Sequence, residues 1–88
     1  MTFFGIGARP PLEVSYFMDR AMQLSHLEQA ERHVAQGKRH IAEQEERIAE
    51  LARRGHDTAE ARKLLDNFYA SQVLHTQHRD RILKELDQ

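Results

Sequence analysis

The strongest constraint on the fold is a run of residues, from position 27 to position 51, whose spacing alternates between three and four. Its members are Leu27, Ala30, Val34, Gly37, Ile41, Gln44, Ile48 and Leu51. This spacing is the a/d repeat of a helix that buries a narrow stripe against another helix, and β-branched residues fill three of the four a positions. The pattern therefore predicts a long helix with a coiled-coil-like partner.

A helix stop and a helix start follow one another closely around Gly55. Glycine suits the position just past a helix C-terminus because it tolerates positive φ. Arg53 and Arg54 precede it, where cations favour the exposed carbonyls. Asp57 can then cap a second helix, with Glu60 at capping-box spacing. A connection this short predicts that the second helix folds back antiparallel to the first.

The stretch ahead of residue 25 is predicted to be a separate short helix. Ser25 and Glu28 have capping-box spacing, which marks a helix start. The apolar residues from Val14 to Leu24 lie out of phase with the stripe, which favours a break near Ser25. The predicted bounds are an N-terminal extension over 1–24, with a short helix over about 12–23, and a helical hairpin over 25–88, with helices over about 26–54 and 58–86.

Matching the two helices through the turn predicts their register. Gly37 is expected opposite His75, and either His75 or Arg79 is expected to pack over the space that the glycine leaves. A histidine buried there as a neutral ring would make the hairpin less stable in acid, because burial disfavours the charged form. The second helix is expected to carry apolar residues near both ends and a polar middle between them. The predicted apolar residues are Ala61, Leu64, Leu65, Phe68, Ile82, Leu83 and Leu86, and the polar middle is Ser71, Gln72, His75, His78 and Arg79.

Composition argues against several classes of protein. The chain has 88 residues and no cysteine, which excludes disulfides and thiolate metal sites. No apolar run approaches the roughly 18–20 residues of a membrane span, and no secretory signal is recognisable, so a cytoplasmic protein is expected. The net charge of -1, with acidic and basic residues interleaved, argues against a nucleic-acid partner.

Catalysis is not expected either. The sequence shows no nucleophile motif and no phosphate-cradling glycine loop. A bare hairpin is also expected to lack a pocket of about 300 Å³ in which chemistry could take place. These observations predict a protein that is not an enzyme and needs no cofactor.

Apolar residues outside the predicted seam indicate self-association. A two-helix seam this thin barely offsets the entropy of ordering the chain. The predicted interface residues are Ala35, Ala42, Ala49, Tyr69, Val73 and Leu74. The predicted fold is thus an all-α antiparallel two-helix hairpin, coiled-coil-like and with a short N-terminal helix, that dimerises into a four-helix bundle. Residues 1–24 are a further candidate docking segment for a protein partner.

Six histidines raise the question of a metal site. The candidates near the polar middle are His33, His40, His75 and His78, and imidazole suits zinc, copper and nickel. Residues seven apart on a helix, such as His33 and His40, are about 10 Å apart, so they do not easily bind one ion together with the pair on the second helix. No Glu-x-x-His pair accompanies them. We therefore predict no metal, and keep open a pH response through the same residues.

Several segments of the chain resemble a class of small bacterial helical-hairpin proteins without assigned activity, common in soil alphaproteobacteria. The matching segments are His33-Val34-Ala35-x-Gly37, Ile41-Ala42-x-Gln44, Ile48-Ala49-x-Leu51, Gly55-His56-Asp57-Thr58-Ala59-x-Ala61, Leu74-His75 and Arg79-Asp80-Arg81-Ile82-Leu83. The resemblance covers about two-thirds of the chain and is most specific at the Gly-His-Asp-Thr turn. It implies an intracellular hairpin and transfers no catalytic or ligand residues.

Two functions follow as predictions. The first is a non-enzymatic interaction or scaffold module that self-associates. The alternative is a small metal- or pH-responsive sensor built on the histidines.

Overall fold

The computed structural model describes residues 12–88, with side chains from residue 19 onward. Two helices make up this part of the chain, α1 over Leu12–Arg53 and α2 over Ala59–Leu86, and they pack against each other. The predicted all-α hairpin is confirmed for these residues. At 1.5 Å per residue, α1 is about 63 Å long and α2 about 42 Å, so the two helices are unequal rather than matched in length.

The predicted break near Ser25 is wrong. A single helix runs through Ser25, so the short helix over 12–23 and the helix over 26–54 are one element. Polar residues continue the packing contact where the apolar stripe leaves it. Arg20 donates to the carbonyl of Leu86 at 3.1 Å, and Gln23 donates to the Glu85 carboxylate at 3.0 Å. Arg20 and Gln23 keep the three-four spacing of Leu27 and Ala30, so the apolar residues leave the contact with α2 while the helix continues without a break.

The predicted seam of α1 is confirmed at all eight positions, each of which is at least partly buried. The least exposed are Ala30, Val34, Gln44 and Ile48, all at 7% exposure or less. Ile82 of α2 meets the same core at 3% exposure. The core is therefore one residue wide along most of the hairpin.

The apolar stripe predicted for α2 needs two corrections. Leu64 and Leu83 are exposed rather than buried. The residues that face α1 also alternate three and four apart, and they are Ala61, Leu65, Phe68, Gln72, His75, Arg79, Ile82 and Leu86. Polar residues hold three neighbouring positions of this row, so the predicted polar middle is present.

The turn explains why the register differs from the prediction. Gly55 has φ of +73°, its N–H donates to the Ala52 carbonyl at 3.0 Å, and the His56 N–H donates to the Leu51 carbonyl at 2.9 Å. These two bonds form a Schellman motif, which folds the chain back beside the last turn of α1 before α2 begins. As a result Gln72, about one turn before His75, lies over Gly37. The predicted packing of His75 or Arg79 over Gly37 is wrong.

The start of α2 also differs from the predicted capping box. The N-cap residue is Thr58, whose side chain makes no capping bond. The Asp57 carboxylate instead accepts from the Ala59 N–H at 2.9 Å. Glu60 lies near Lys63, at 3.4 Å, rather than reaching back over the cap. Asp57 thus satisfies a free N–H of the first turn from one residue further out.

Candidate functional site

Two glutamines cross the seam in opposite directions. Gln44 of α1 donates its amide N–H to the Ala61 carbonyl at 2.9 Å, and Gln72 of α2 donates to the Val34 carbonyl at 2.8 Å. Gln72 Oε1 is enclosed against Gly37 and has no hydrogen-bond partner among the described residues. Because each bond joins a particular residue pair, the two glutamines fix how far one helix can slide along the other.

Gln72 lies in the predicted polar middle of α2, but its bond to the Val34 carbonyl is not predicted from the sequence. The useful signal was the glycine inside a helix seam, because such a glycine indicates that a bulky partner lies opposite. Helix spacing limits the possible partners of Gly37 to residues within about one helical turn of α2. The geometry of the connection around Gly55 then determines that the partner is Gln72.

One side of the seam forms a groove lined by histidines, here called the histidine groove and defined by His33, His40, Phe68 and His75. It contains a recess of about 340 Å³. The rings of His33 and His75 lie 5.5 Å apart with an interplanar angle of 51°, and the rings of His40 and Phe68 lie 5.7 Å apart. The sequence predicts no pocket of about 300 Å³, and this recess is larger than that, although it is open to solvent along one side.

The four candidate histidines do not converge on one point. His33 and His75 are in ring contact, whereas His40 packs on Phe68, and His78 lines a neighbouring recess with His26. Among residues 19–88, no three histidine or carboxylate side chains are placed to hold a metal ion together.

The opposite side of the seam carries exposed small and apolar residues. We call it the alanine face and define it by Ala35, Ala42, Ala49, Tyr69 and Val73. The three alanines are exposed; Tyr69 is 43% exposed and Val73 52%. Residues three or four apart share a helix face, so the alanines follow one line along α1 and the two larger side chains lie together on α2.

The two lines belong to the same side because a hydrogen bond joins them. The Tyr69 hydroxyl donates to the Glu45 carboxylate at 2.6 Å. Glu45 lies three residues after Ala42 and four before Ala49, which places both alanines beside Tyr69. This bond to Glu45, followed by burial and by the negative charges of Glu45 and Asp66, raises the pKa of Tyr69 above its ordinary value.

Leu74 does not lie with the other predicted interface residues. It is 65% exposed. It comes three residues after Ser71 and four before His78, both of which line recesses on the histidine side. Five of the six predicted interface residues thus share a face, and Leu74 is on the opposite flank.

Comparison with known proteins gives no relative for this chain, since no family model, curated protein or solved structure matches it. In the described part of the chain, neither helix has a stretch both long and apolar enough to cross a membrane. The candidate docking segment 1–24 lies largely outside the described side chains, and its first eleven residues lie outside the described backbone.

Proposed function

We propose that this chain is a non-enzymatic helical hairpin that self-associates through the alanine face and acts in the cytoplasm as an interaction or scaffold module. The observation that carries the proposal is the presence of two large, exposed side chains, Tyr69 and Val73, beside a row of exposed alanines on α1. Small residues let a second helix approach closely, and the two larger side chains supply apolar area at the edge of that contact.

The thin core supports the same proposal. Among the residues whose burial is described, only Ala30, Val34, Ile48 and Ile82 are buried apolar residues, and no side chain is fully buried. Hairpins with so little buried surface gain stability by covering more of it in an oligomer. Of the exposed large apolar residues, Tyr69 and Val73 lie on the alanine face and are available for this contact.

Sedimentation equilibrium of the full chain tests the proposal. We expect a mass of about twice the 10.3 kDa of one chain at micromolar concentration. Ala42→Glu places a charge at the centre of the alanine face and should return the protein to a monomer. Gln77→Glu, which adds the same charge at an exposed position of α2, is the matched control and should remain associated. A wild-type chain that is monomeric throughout the micromolar range would overturn the proposal.

A second candidate function, a response to pH, is favoured by the ring contact between His33 and His75. Histidine is the side-chain type whose charge changes near neutral pH, and this contact brings two histidines together across the seam. The pH-response hypothesis expects the hairpin to lose stability between pH 8 and pH 5.5. Thermal melts at pH 8 and pH 5.5 test it, with His33→Gln expected to lose less than the wild type. Equal losses in the two proteins would count against it.

A metal-responsive form of the same candidate has less support, because only two of the histidines meet. Titration with zinc or nickel would reveal such binding as a saturable rise in melting temperature. Absence of saturation in this titration would remove the metal form and leave the pH form open.

A further inference from the structure

We infer that the partner on the alanine face is a second copy of this chain, with the two α1 helices antiparallel and Ala42 on the twofold axis. This inference rests on the proposed self-association and specifies its geometry. In that arrangement Ala42 meets Ala42, and Ala35 meets Ala49 of the second copy. The seven-residue spacing of the alanines brings all three into contact at once, in a helix that is continuous from Leu12 to Arg53.

Charged residues flank the alanine row on both sides. Lys38 and Glu45 lie on the flank nearer α2, because Glu45 reaches Tyr69. Arg39 and Glu46 lie one residue further round the helix, on the flank away from α2. Lys38, Arg39 and Glu46 make no salt bridge in residues 19–88, and the hydrogen bond from Tyr69 is the polar contact of Glu45. All four side chains are exposed and available to a partner.

An antiparallel twofold through Ala42 matches these charges. In antiparallel helix pairs each flank faces the same flank of the partner. Lys38 therefore comes opposite Glu45 of the second copy, and Arg39 comes opposite Glu46. Symmetry repeats each contact, so four complementary contacts surround the central alanine. Further from the axis, Glu31 faces Ala52 of the second copy, while Arg32 faces Arg53 of the second copy.

The outer arginine contact is the one unfavourable feature of this arrangement. Arg53 is already bridged to Glu50 at 2.6 Å, which offsets its charge. The side chains of Arg32 and Arg53 also lie near the ends of the contact, where water screens charges strongly.

The same residues disfavour the other arrangements. In a parallel pair, opposite flanks meet, so Lys38 would lie against Arg39 and Glu45 against Glu46. Sliding the antiparallel pair so that Ala42 meets Ala35 would bring Lys38 against Lys38 and Arg39 against Arg39. Like charges held face to face oppose association, so the charge pattern selects both the direction and the register.

Site-directed cross-linking tests this geometry, because the chain contains no cysteine. The A42C variant should form cross-linked dimers with a short thiol-to-thiol reagent. A mixture of the A35C and A49C variants should cross-link to each other, whereas either variant alone should not. Cross-linking of A35C with itself, or failure of A42C to cross-link while sedimentation shows a dimer, would overturn the geometry and leave the proposed self-association intact. A monomeric wild type in sedimentation would instead remove both.

Charge exchange provides a second test that does not depend on thiol chemistry. The K38E/R39E variant and the E45K/E46K variant should each dimerise about tenfold more weakly than the wild type or worse, since all four central contacts become repulsive. An equimolar mixture of the two should associate as a heterodimer with close to wild-type strength. Circular dichroism checks that each variant is helical. Helical variants that dimerise as the wild type does, or that fail to recover on mixing, would contradict the inference.

Discussion

Gly37 and Gln72 form the most specific contact in the seam. A glycine inside a helix costs about 1 kcal/mol relative to alanine, and here the missing side chain is replaced by the end of Gln72, which reaches past it to the Val34 carbonyl. A methyl group at position 37 would overlap Gln72 Oε1 and Cδ. The glycine therefore makes room for a polar bond between the helices.

A double-mutant cycle on this pair has a definite expected outcome. In a Gln72→Ala background, Gly37→Ala should stabilise the hairpin by about 1 kcal/mol through helix propensity. In the wild-type background the added methyl must displace the Gln72 amide. The loss of that bond, about 1 kcal/mol, should cancel the gain. Urea unfolding of the four proteins at one concentration measures the coupling, and equal effects in both backgrounds would show that the contact is unimportant.

Tyr69 links α2 to α1 on the alanine face, and the ionisation of its phenol reports on that link. Its hydroxyl donates to Glu45, which raises the pKa of Tyr69, and the charges of Glu45 and Asp66 act in the same direction. Unfolding returns the phenol to about 10. The folded state therefore holds this proton more tightly, and its contribution to stability is complete below pH 10 and disappears as pH rises through the higher folded value.

The corresponding measurement is an ultraviolet titration of phenolate absorbance. The Tyr69→Phe variant supplies the signal of the other tyrosine, and the difference gives Tyr69 alone. Glu45→Gln should lower the pKa of Tyr69 towards its ordinary value. A pKa that does not change on this substitution would mean that the hydrogen bond is not formed in solution.

At the scale of the helices, the turn sets the alignment of the whole hairpin. Gly55 adopts a left-handed φ of +73°, and the Schellman bonds around it bring His56 back beside Leu51. Every interhelical contact that follows inherits this starting point. The alignment set at the turn is therefore kept along the hairpin, and at Gly37 it places Gln72 about one helical turn before the predicted His75.

Gly55→Ala tests the backbone cost of this turn. Apart from Gly55 and its two neighbours in the chain, no residue has an atom within 4 Å of the position that an added Cβ would take. Any loss of stability therefore comes from the left-handed backbone, about 1–2 kcal/mol. Gly55→Asn should lose less, because asparagine tolerates this conformation better. Urea unfolding distinguishes the two. An alanine variant as stable as the wild type would indicate that the turn differs in solution.

The helices also show what the sequence could predict and where it could not. The seam of α1 was predictable because its spacing is strict over eight positions, and all eight face α2. On α2, polar residues interrupt the same spacing, so hydrophobicity wrongly predicts that Leu64 and Leu83 face α1. The break at Ser25 was predicted from a change of face, yet Arg20 and Gln23 keep the contact with polar bonds that hydrophobic periodicity does not detect.

The candidate sites also include parts that the sequence predicts and parts that it does not. Helix spacing predicts the residues of the alanine face. It does not predict that Leu74 lies on the opposite flank, because the angular position of Leu74 depends on which residues of α2 form the seam. The histidine grouping depended on register, which the turn decides. One ring contact, between His33 and His75, is present, and the larger cluster is not.

At the scale of the whole molecule, stability and association should be coupled. If two copies bury the alanine face together, mass action makes the folded dimer more stable as protein concentration rises. The melting temperature of the wild type should therefore increase with concentration across the micromolar range, and that of Ala42→Glu should stay constant. Circular dichroism melts at several concentrations measure this. A wild-type melting temperature independent of concentration would argue against a dimer.

The unequal lengths of the two helices have a consequence for such a dimer. Arg20 contacts the last residue of α2, so residues 12–19 of α1 continue beyond its end by about two turns. With α1 helices antiparallel about Ala42, these overhangs point in opposite directions, and their starts at Leu12 are about 90 Å apart at 1.5 Å per residue. Partners bound by residues 1–24 of the two copies would then be held at a fixed separation set by the length of α1.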